Sequence, residues 1–288
     1  MKLSDEHLKT YHEQGFVVIE NFYPEEKRAR IAAAVRKQLP SWESIKDDPP
    51  ENGLLTTDFP YADMFFNELT VDWDLINFVQ RVLDTEDIHF RYAHNWARYP
   101  CTPPPQHHLH VDNGNNSLLP PCDDVRYGQI STWYFPEEVR EHQAPMSVIP
   151  KSYGRAVSEK ISLAVPAGTQ MIFNTYLWHS ATAYLGSEVQ RYSVTRIYGR
   201  ADHYWEGVRS FTNQGRDERL RKFIGTLTAR ERELFRFPPA GHPYYTDKTL
   251  ALLEDQYPGW NARDEYAPGE HIEPADDPHL GGIAISRE

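Results

Sequence analysis

Apolar positions along this chain change their period several times, and each change predicts an element. Leu3 and Leu8 flank Ser4, a residue type that caps helices by accepting a backbone N–H, so a short helix opens the chain and Gly15 closes it. Phe16 to Ile19 then runs apolar without a break, as a short buried strand does. Pro24 at a first helical position, Glu25 and Glu26 in the first turn, and Ile31, Val35 and Leu39 at four-residue steps predict an amphipathic second helix. Residues 40–70 lose all periodicity and mix Pro, Asp and Gly with scattered aromatics, the composition of an irregular excursion over the surface or across the mouth of a site. Helical spacing returns from Asp72 to Leu83. Between Ile88 and Tyr99 the period falls to two: Phe90, Tyr92 and His94 alternate with Arg91, Ala93 and Asn95, and Pro103-Pro104-Pro105 ends the run. Gly128 to Phe135, Ser147 to Ile149, Met171 to Phe173 and Tyr192 to Tyr198 read as further short strands between turn-rich loops. Short strands without long helices between them predict an antiparallel sandwich or barrel, braced on one face by the N-terminal helices.

Beyond Gly199 the character changes. Thr228 and Glu231 form a capping-box pattern that opens one helix, Thr246 can cap another carrying Leu250 and Leu253, and Pro238-Pro239, Pro243 and Pro258-Gly259 separate these pieces. After Arg263 the chain is acidic and contains Pro, with no chemical role to assign. The organisation predicted is one elaborated domain over 1–288: helical support in 1–84, a β core in 85–200 and a helical extension in 201–288. With 40% hydrophobic and 13% aromatic residues among 288, such a domain can bury a substantial core.

Charge narrows the partners. A net charge of −12 disfavours nucleic acid and anionic membranes, because phosphate binding needs clustered Lys and Arg. No apolar run approaches the roughly 18 residues of a membrane span, and the start Met1-Lys2-Leu3-Ser4-Asp5-Glu6 lacks the apolar stretch of a signal peptide. Cys101 and Cys122 have neither zinc-site nor disulfide-framework spacing, so the expected setting is the reducing cytoplasm with both as thiols. A small-molecule substrate and a monomeric or homodimeric state are expected.

The candidate chemistry gathers around His110-Val111-Asp112. Residues two apart on a strand share a face, so His110 and Asp112 can reach one ion while Val111 packs behind them. His107 and His108 crowd the motif, and His108 shares a face with His110, so a different His pair remains open at this point. A cupin-type three-His site would need a Glu a few residues further on, and Val111-Asp112-Asn113-Gly114-Asn115-Asn116 contains none. The third ligand candidate is His179, which follows the apolar strand ending at Phe173. Two His and one carboxylate on one face, with the opposite positions open, suit ferrous iron in oxygen-activating enzymes. Twelve residues past His179 stands Arg191, and the alternation puts Arg191, Ser193 and Thr195 on one face. A guanidinium and a hydroxyl there can grip a carboxylate beside the metal, which is what a 2-oxoglutarate site requires. Arg196 falls on the opposite face, where it would meet solvent or a neighbouring helix. Trp96, Arg98, Trp133, Tyr134 and Trp178 are candidates for a substrate pocket, against the ordinary use of strand aromatics in packing.

These residues together resemble the phytanoyl-CoA dioxygenase family of Fe(II)/2-oxoglutarate-dependent oxygenases. The likeness runs from Leu3-Ser4-Asp5-Glu6-His7-Leu8 and Gly15-Phe16-Val17-Val18-Ile19-Glu20-Asn21-Phe22 to about Tyr198. It includes Ala144-Pro145-Met146-Ser147-Val148-Ile149-Pro150-Lys151-Ser152-Tyr153, similar to a Gly-x-Leu-x-x-x-Pro-Gly-Ser-His segment of the family. Lys151 and Tyr153 depart from that segment, and Arg191 lies one residue further from the distal His than is usual. The resemblance implies a double-stranded β-helix (jelly roll, cupin-like), iron ligands at His110, Asp112 and His179, and Arg191 as anchor of the 2-oxoglutarate C5 carboxylate. It also implies O2 as co-substrate, and co-substrate contacts at Asn95 and Thr132. A carboxylate at Asp112, where halogenases of this fold have Ala or Gly, implies hydroxylation as the outcome, with desaturation or ring formation as its variants. The rival class is a catalytically silent jelly-roll or cupin-type binding protein.

Overall fold

The computed structural model describes residues 3–101, 108–112, 126, 128–151, 156–187, 189–202, 217–235, 237–242, 245–257 and 259–266. His107, Pro103-Pro104-Pro105, Cys122, Ser152-Tyr153, Pro243, Pro258 and the acidic tail beyond 266 lie outside the described residues.

The chain divides into two compact units, residues 1–214 and 215–288. In the first unit, β1 (Phe16–Ile19), β2 (Leu54–Asp58), β3 (Ile88–Arg98), β4 (Ile130–Phe135), β7 (Thr169–Asn174) and β9 (Arg191–Arg200) make a six-stranded antiparallel sheet in the order β1-β7-β4-β9-β3-β2. A smaller antiparallel sheet has the order β6-β5-β8, from β5 (Met146–Val148), β6 (Ile161–Leu163) and β8 (His179–Ala181). From β4 onward the chain passes repeatedly between the two sheets, which is the double-stranded β-helix. Phe135, Met171 and Phe173 of the large sheet pack on Met146 and Val148 of the small one, with Phe16, Val139, Val165 and Leu177 completing the core between them. Burying side chains of this size is worth about 1.5–3 kcal/mol each, so this layer holds the sheets together.

The far face of the large sheet meets helices. α1 (Asp5–Gln14) begins at Ser4, whose hydroxyl accepts the His7 N–H while the His7 ring accepts the Ser4 N–H, a capping box in addition to the expected cap. It ends at Gly15, whose φ of +81° is left-handed backbone that a side chain would strain, and whose N–H reaches the Tyr11 carbonyl. α2 (Glu25–Gln38) starts one residue later than expected, with Pro24 as its N-cap. α4 (Met64–Glu68) lies within the stretch expected to be irregular, after the short α3 (Trp42–Ile45), and α5 (Trp73–Leu83) buries Leu75, Ile76, Phe78, Val79, Val82 and Leu83.

Two departures matter for the site. Leu54–Asp58 is not an irregular excursion but the edge strand β2, paired with β3 from Arg98 back to His94. Its Leu-Leu-Thr-Thr-Asp has no apolar–polar contrast because an edge strand half exposed on both faces needs none. In β3 the register shifts between Phe90 and Tyr92, a bulge at Arg91 that turns Phe90 to the helix side against Tyr198 and Phe59 (ring centroids 5.9 and 5.0 Å). Tyr92, His94, Trp96 and Arg98 remain on the inner side.

The second unit holds α6 (Glu218–Thr226), α7 (Ala229–Glu233), α8 (Asp247–Gln256) and α9 (Ala262–Glu265), and Arg232 of α7 ties α6 to α9. That side chain is fully buried, donating to the Ile224 carbonyl at 3.0 Å and to Glu265 at 2.5 Å, with the Trp260 ring 3.7 Å away. The expected Thr228–Glu231 capping box opens α7. Among the described residues no helix is long and apolar enough to cross a membrane.

Candidate active site

A β-bridge brings the two halves of the candidate metal centre together. His110 N–H donates to the His179 carbonyl at 2.9 Å and His179 N–H to the His110 carbonyl at 3.0 Å, so the two imidazoles project from paired positions, centroids 4.6 Å apart. Asp112, two residues on, has its N–H on the Thr175 carbonyl at 3.0 Å. Its Oδ1 lies 3.5 Å from His110 Nε2 and 3.4 Å from His179 Nε2, and one donor atom from each residue falls within 4.8 Å of the others.

Tautomers follow from what each ring faces. His110 Nδ1 lies 2.8 Å from the His108 carbonyl and His179 Nδ1 2.8 Å from the Leu177 carbonyl. A carbonyl has no proton to give, so Nδ1 carries a hydrogen and Nε2 of each ring faces the shared space, donating to Asp112 when protonated and free to take a metal when it is not. Burial pushes the Asp112 carboxyl up, but hydrogen bonds and charge from His110 and His179 outweigh it and hold the carboxyl well below the usual range. The hydrogen bond to Asp112 raises His110 against its own partial burial. His108 contributes its carbonyl and not its ring.

The triad opens on a cavity of about 200 Å³ between the sheets, its wall built largely from alternate positions of β3, β4 and β9. Tyr92, His94, Trp96 and Arg98 face it from β3, Ser131 and Trp133 from β4, and Arg191, Thr195 and Ile197 from β9. Arg98 and Arg191 stand at paired positions of β3 and β9, and Trp96 and Trp133 lie 5.7 Å apart. Arg191 is 1% exposed; its Nη1 donates to the Ala144 carbonyl at 2.9 Å, while Nε and Nη2, like the buried Ser193 Oγ and Thr195 Oγ1, meet no partner among the described residues. Burial, helped by the charge of Arg98, pushes the Arg191 guanidinium down to about 9. Because guanidinium keeps its proton, that penalty acts as a demand for an anion.

Several expectations are corrected by strand phase. Asn95 and Thr132 are one position out of step with the cavity: Asn95 donates to Gln38 Oε1 at 2.9 Å and Thr132 to the Arg196 carbonyl at 2.9 Å, both on the helix side. Tyr134 shares that side, its ring 5.2 Å from Tyr23. Trp178, next to His179 in sequence, points to a separate small cavity with Gly15, Ile149 and Leu177. Arg196 lies on the face opposite Arg191, as expected, and of the two settings expected there it meets the helix side and not solvent. It is 1% exposed and donates to Tyr23 Oη, the Leu69 carbonyl and Gln170 Oε1 at 2.9, 3.1 and 2.9 Å. Sequence reasoning put Thr195 on the face of Arg191 but left Tyr92, His94 and Ser131 off the wall, although extending the phase of Trp96 and Trp133 along their strands finds all three.

An antiparallel jelly roll carrying two His and one Asp at the mouth of a cavity is the architecture of a metal-dependent oxygenase. The family profile of phytanoyl-CoA dioxygenase (PhyH) matches residues 11–191, and the chain belongs to that family of Fe(II)/2-oxoglutarate-dependent oxygenases. No curated protein sequence matches it. Among solved structures it is similar to EctD from S. alaskensis with bound Fe, at TM-score 0.56 and 13% identity over 72% of this chain and 80% of that one. It is also similar to HygX from Streptomyces hygroscopicus with nickel and 2-oxoglutarate bound, at 0.55 and 15% over 70% and 89%. The epimerase SnoN in complex with Fe3+, alpha ketoglutarate and nogalamycin RO gives 0.53 and 12% over 68% and 83%. At these identities the likeness speaks for the fold.

Proposed function

We propose that His110, Asp112 and His179 hold Fe(II), that Arg191 with Ser193 anchors the distal carboxylate of 2-oxoglutarate, and that the protein uses O2 to hydroxylate a small molecule. The observation that carries this reading is Arg191, a fully buried cation on the wall of the triad's cavity with two donor nitrogens lacking a partner among the described residues. An uncompensated buried charge costs several kcal/mol, so such a site is built for a ligand that brings the counter-charge. The co-substrate is a dianion, and one carboxylate on Arg191 leaves its oxo-acid end free to reach the metal. Thr195, four residues along the same face of β9 and with an unpartnered hydroxyl, joins Ser193 as a donor to the co-substrate.

Bound iron and 2-oxoglutarate supply the oxidising power, and succinate and CO2 leave with the hydroxylated product. The chain's own contribution is placement. The carbonyls of His108 and Leu177 keep both imidazoles in the metal-binding tautomer, the Arg191 guanidinium orients the co-substrate, and the aromatic wall keeps water from the reacting C–H bond. We assign Trp96, Trp133 and Arg98 to the substrate, since they line the same cavity as Arg191.

The test is anaerobic mixing of the pure protein with Fe(II) and 2-oxoglutarate. A weak visible charge-transfer band that disappears in Arg191→Ala at the same concentrations supports the reading; wild-type protein without the band removes it in favour of a silent binding protein.

A further inference from the structure

We infer that Thr175 is a positioning residue for the metal centre, its hydroxyl fixing the carbonyl that holds Asp112; the inference rests on the iron reading above. Thr175 lies in the corner between β7 and β8 and is 1% exposed. It is clamped twice to Gln129: its N–H donates to the Gln129 carbonyl at 2.9 Å, and its Oγ1 accepts the Gln129 N–H at 3.0 Å. Those two bonds set the direction of the Thr175 carbonyl, which accepts the Asp112 N–H at 3.0 Å.

The triad needs this because its members are not held alike. His110 and His179 fix each other through their reciprocal bridge, whereas Asp112 belongs to no strand and its side chain is 36% exposed. Among the described residues, the Thr175 carbonyl is the backbone group that sets how far Asp112 stands from the two Nε2 atoms. The same corner steadies His179. Asn174 accepts the Leu177 N–H at its carbonyl (2.9 Å) and the Tyr176 N–H at Oδ1 (2.8 Å), and Leu177 in turn holds the His179 ring. Close approach is built in at Gly128, where a Cβ would sit 2.3 Å from Asn174 Oδ1. One corner therefore serves two of the three ligands, and the Thr175 hydroxyl ties it to Gln129, the residue before β4.

Thr175→Val keeps the shape and removes the oxygen, leaving the Gln129 N–H buried without its acceptor. Thr175→Ser keeps the oxygen, and Ile172→Val trims the helix-facing side of the same strand as a control for general destabilisation. Fe(II) affinity is measured without oxygen by chelator competition, and backbone amide exchange of the 108–112 segment is followed in metal-free protein. Losing a group that orients a metal ligand weakens affinity about 10- to 100-fold. Thr175→Val is expected to show that loss together with faster exchange at Asp112, while Thr175→Ser and Ile172→Val stay close to wild type. Thr175→Val binding Fe(II) like wild type, or Ile172→Val losing as much, overturns the inference and leaves the iron reading standing. Wild-type protein with no Fe(II) affinity overturns both.

Discussion

At the scale of single residues, the site separates groups that do chemistry from groups that only resemble them. His110, Asp112 and His179 converge within 4.8 Å, while His108 offers a carbonyl. Alanine at any of the three should abolish Fe(II) binding in chelator competition yet leave thermal unfolding near wild type, because none belongs to the apolar layer between the sheets; His108→Ala should bind iron normally. The same contrast holds for two arginines five apart in sequence. Losing a charge-assisted pair in a desolvated pocket costs about 2–5 kcal/mol, so Arg191→Ala should raise the apparent constant for 2-oxoglutarate at least about 30-fold. Arg196→Ala removes three hydrogen bonds and strands Tyr23, Leu69 and Gln170 inside the protein. It should lower stability by on the order of 3 kcal/mol, read as a fall in melting temperature. A variant pair with those phenotypes exchanged would move the anchor to Arg196.

At the scale of elements, the large sheet divides its labour by face. Odd positions of β4 and β9 and the even positions of β3 beyond its bulge look toward the cavity, and the others lock the sheet to the helices. Arg196 on β9 is the centre of that second face, held with Tyr23 and with Asp72 at the start of α5, which also pairs with Lys27 at 2.9 Å. Burial pushes the Asp72 carboxyl up, but the charges of Lys27 and Arg196 prevail and hold it below its ordinary value of 3.8. A carboxylate depressed in the folded state stabilises it fully above its unfolded pKa and loses that contribution as pH falls through the folded value. Wild-type protein should therefore lose stability below about pH 4. Asp72→Asn should be less stable at pH 7 and show a shallower acid-side fall, as followed by urea unfolding from pH 3 to 7. An unchanged acid slope in the variant would remove Asp72 from this role.

At the scale of the whole molecule, the cavity is lined from one sheet by both cations and aromatic rings, with the triad facing them. If the Asp112 carboxylate takes a coordination position as proposed, the expected outcome is oxygen transfer to a C–H bond. Once a metabolite-library screen for succinate release finds a substrate, turnover under ¹⁸O2 should place one labelled oxygen in the product and one in succinate. Loss of two hydrogens would show desaturation or cyclisation, and a chlorinated product in chloride buffer would sink the argument from Asp112.

How much of this was legible beforehand follows the range of the forces involved. Helix caps, strand periods and the His-x-Asp spacing depend on neighbours a few residues away, so Ser4, Gly15, the alternation of β9 and the pairing of His110 with Asp112 could be read from the chain alone. His179 was a candidate from its place after an apolar strand and from the resemblance, but its approach to them is made by a bridge between segments far apart in the chain. Strand phase failed where it was assumed afresh for each residue: Asn95, Thr132 and Tyr134 each carry chemistry that suits a site, but side-chain direction alternates strictly and puts them against the helices. Tertiary structure alone decided the bulge at Arg91, the edge strand at Leu54–Asp58 and the burial of Arg196. Each arises from partners far off in sequence, because a strand's register and a buried cation's acceptors are fixed only when the sheet closes on the helices beside it.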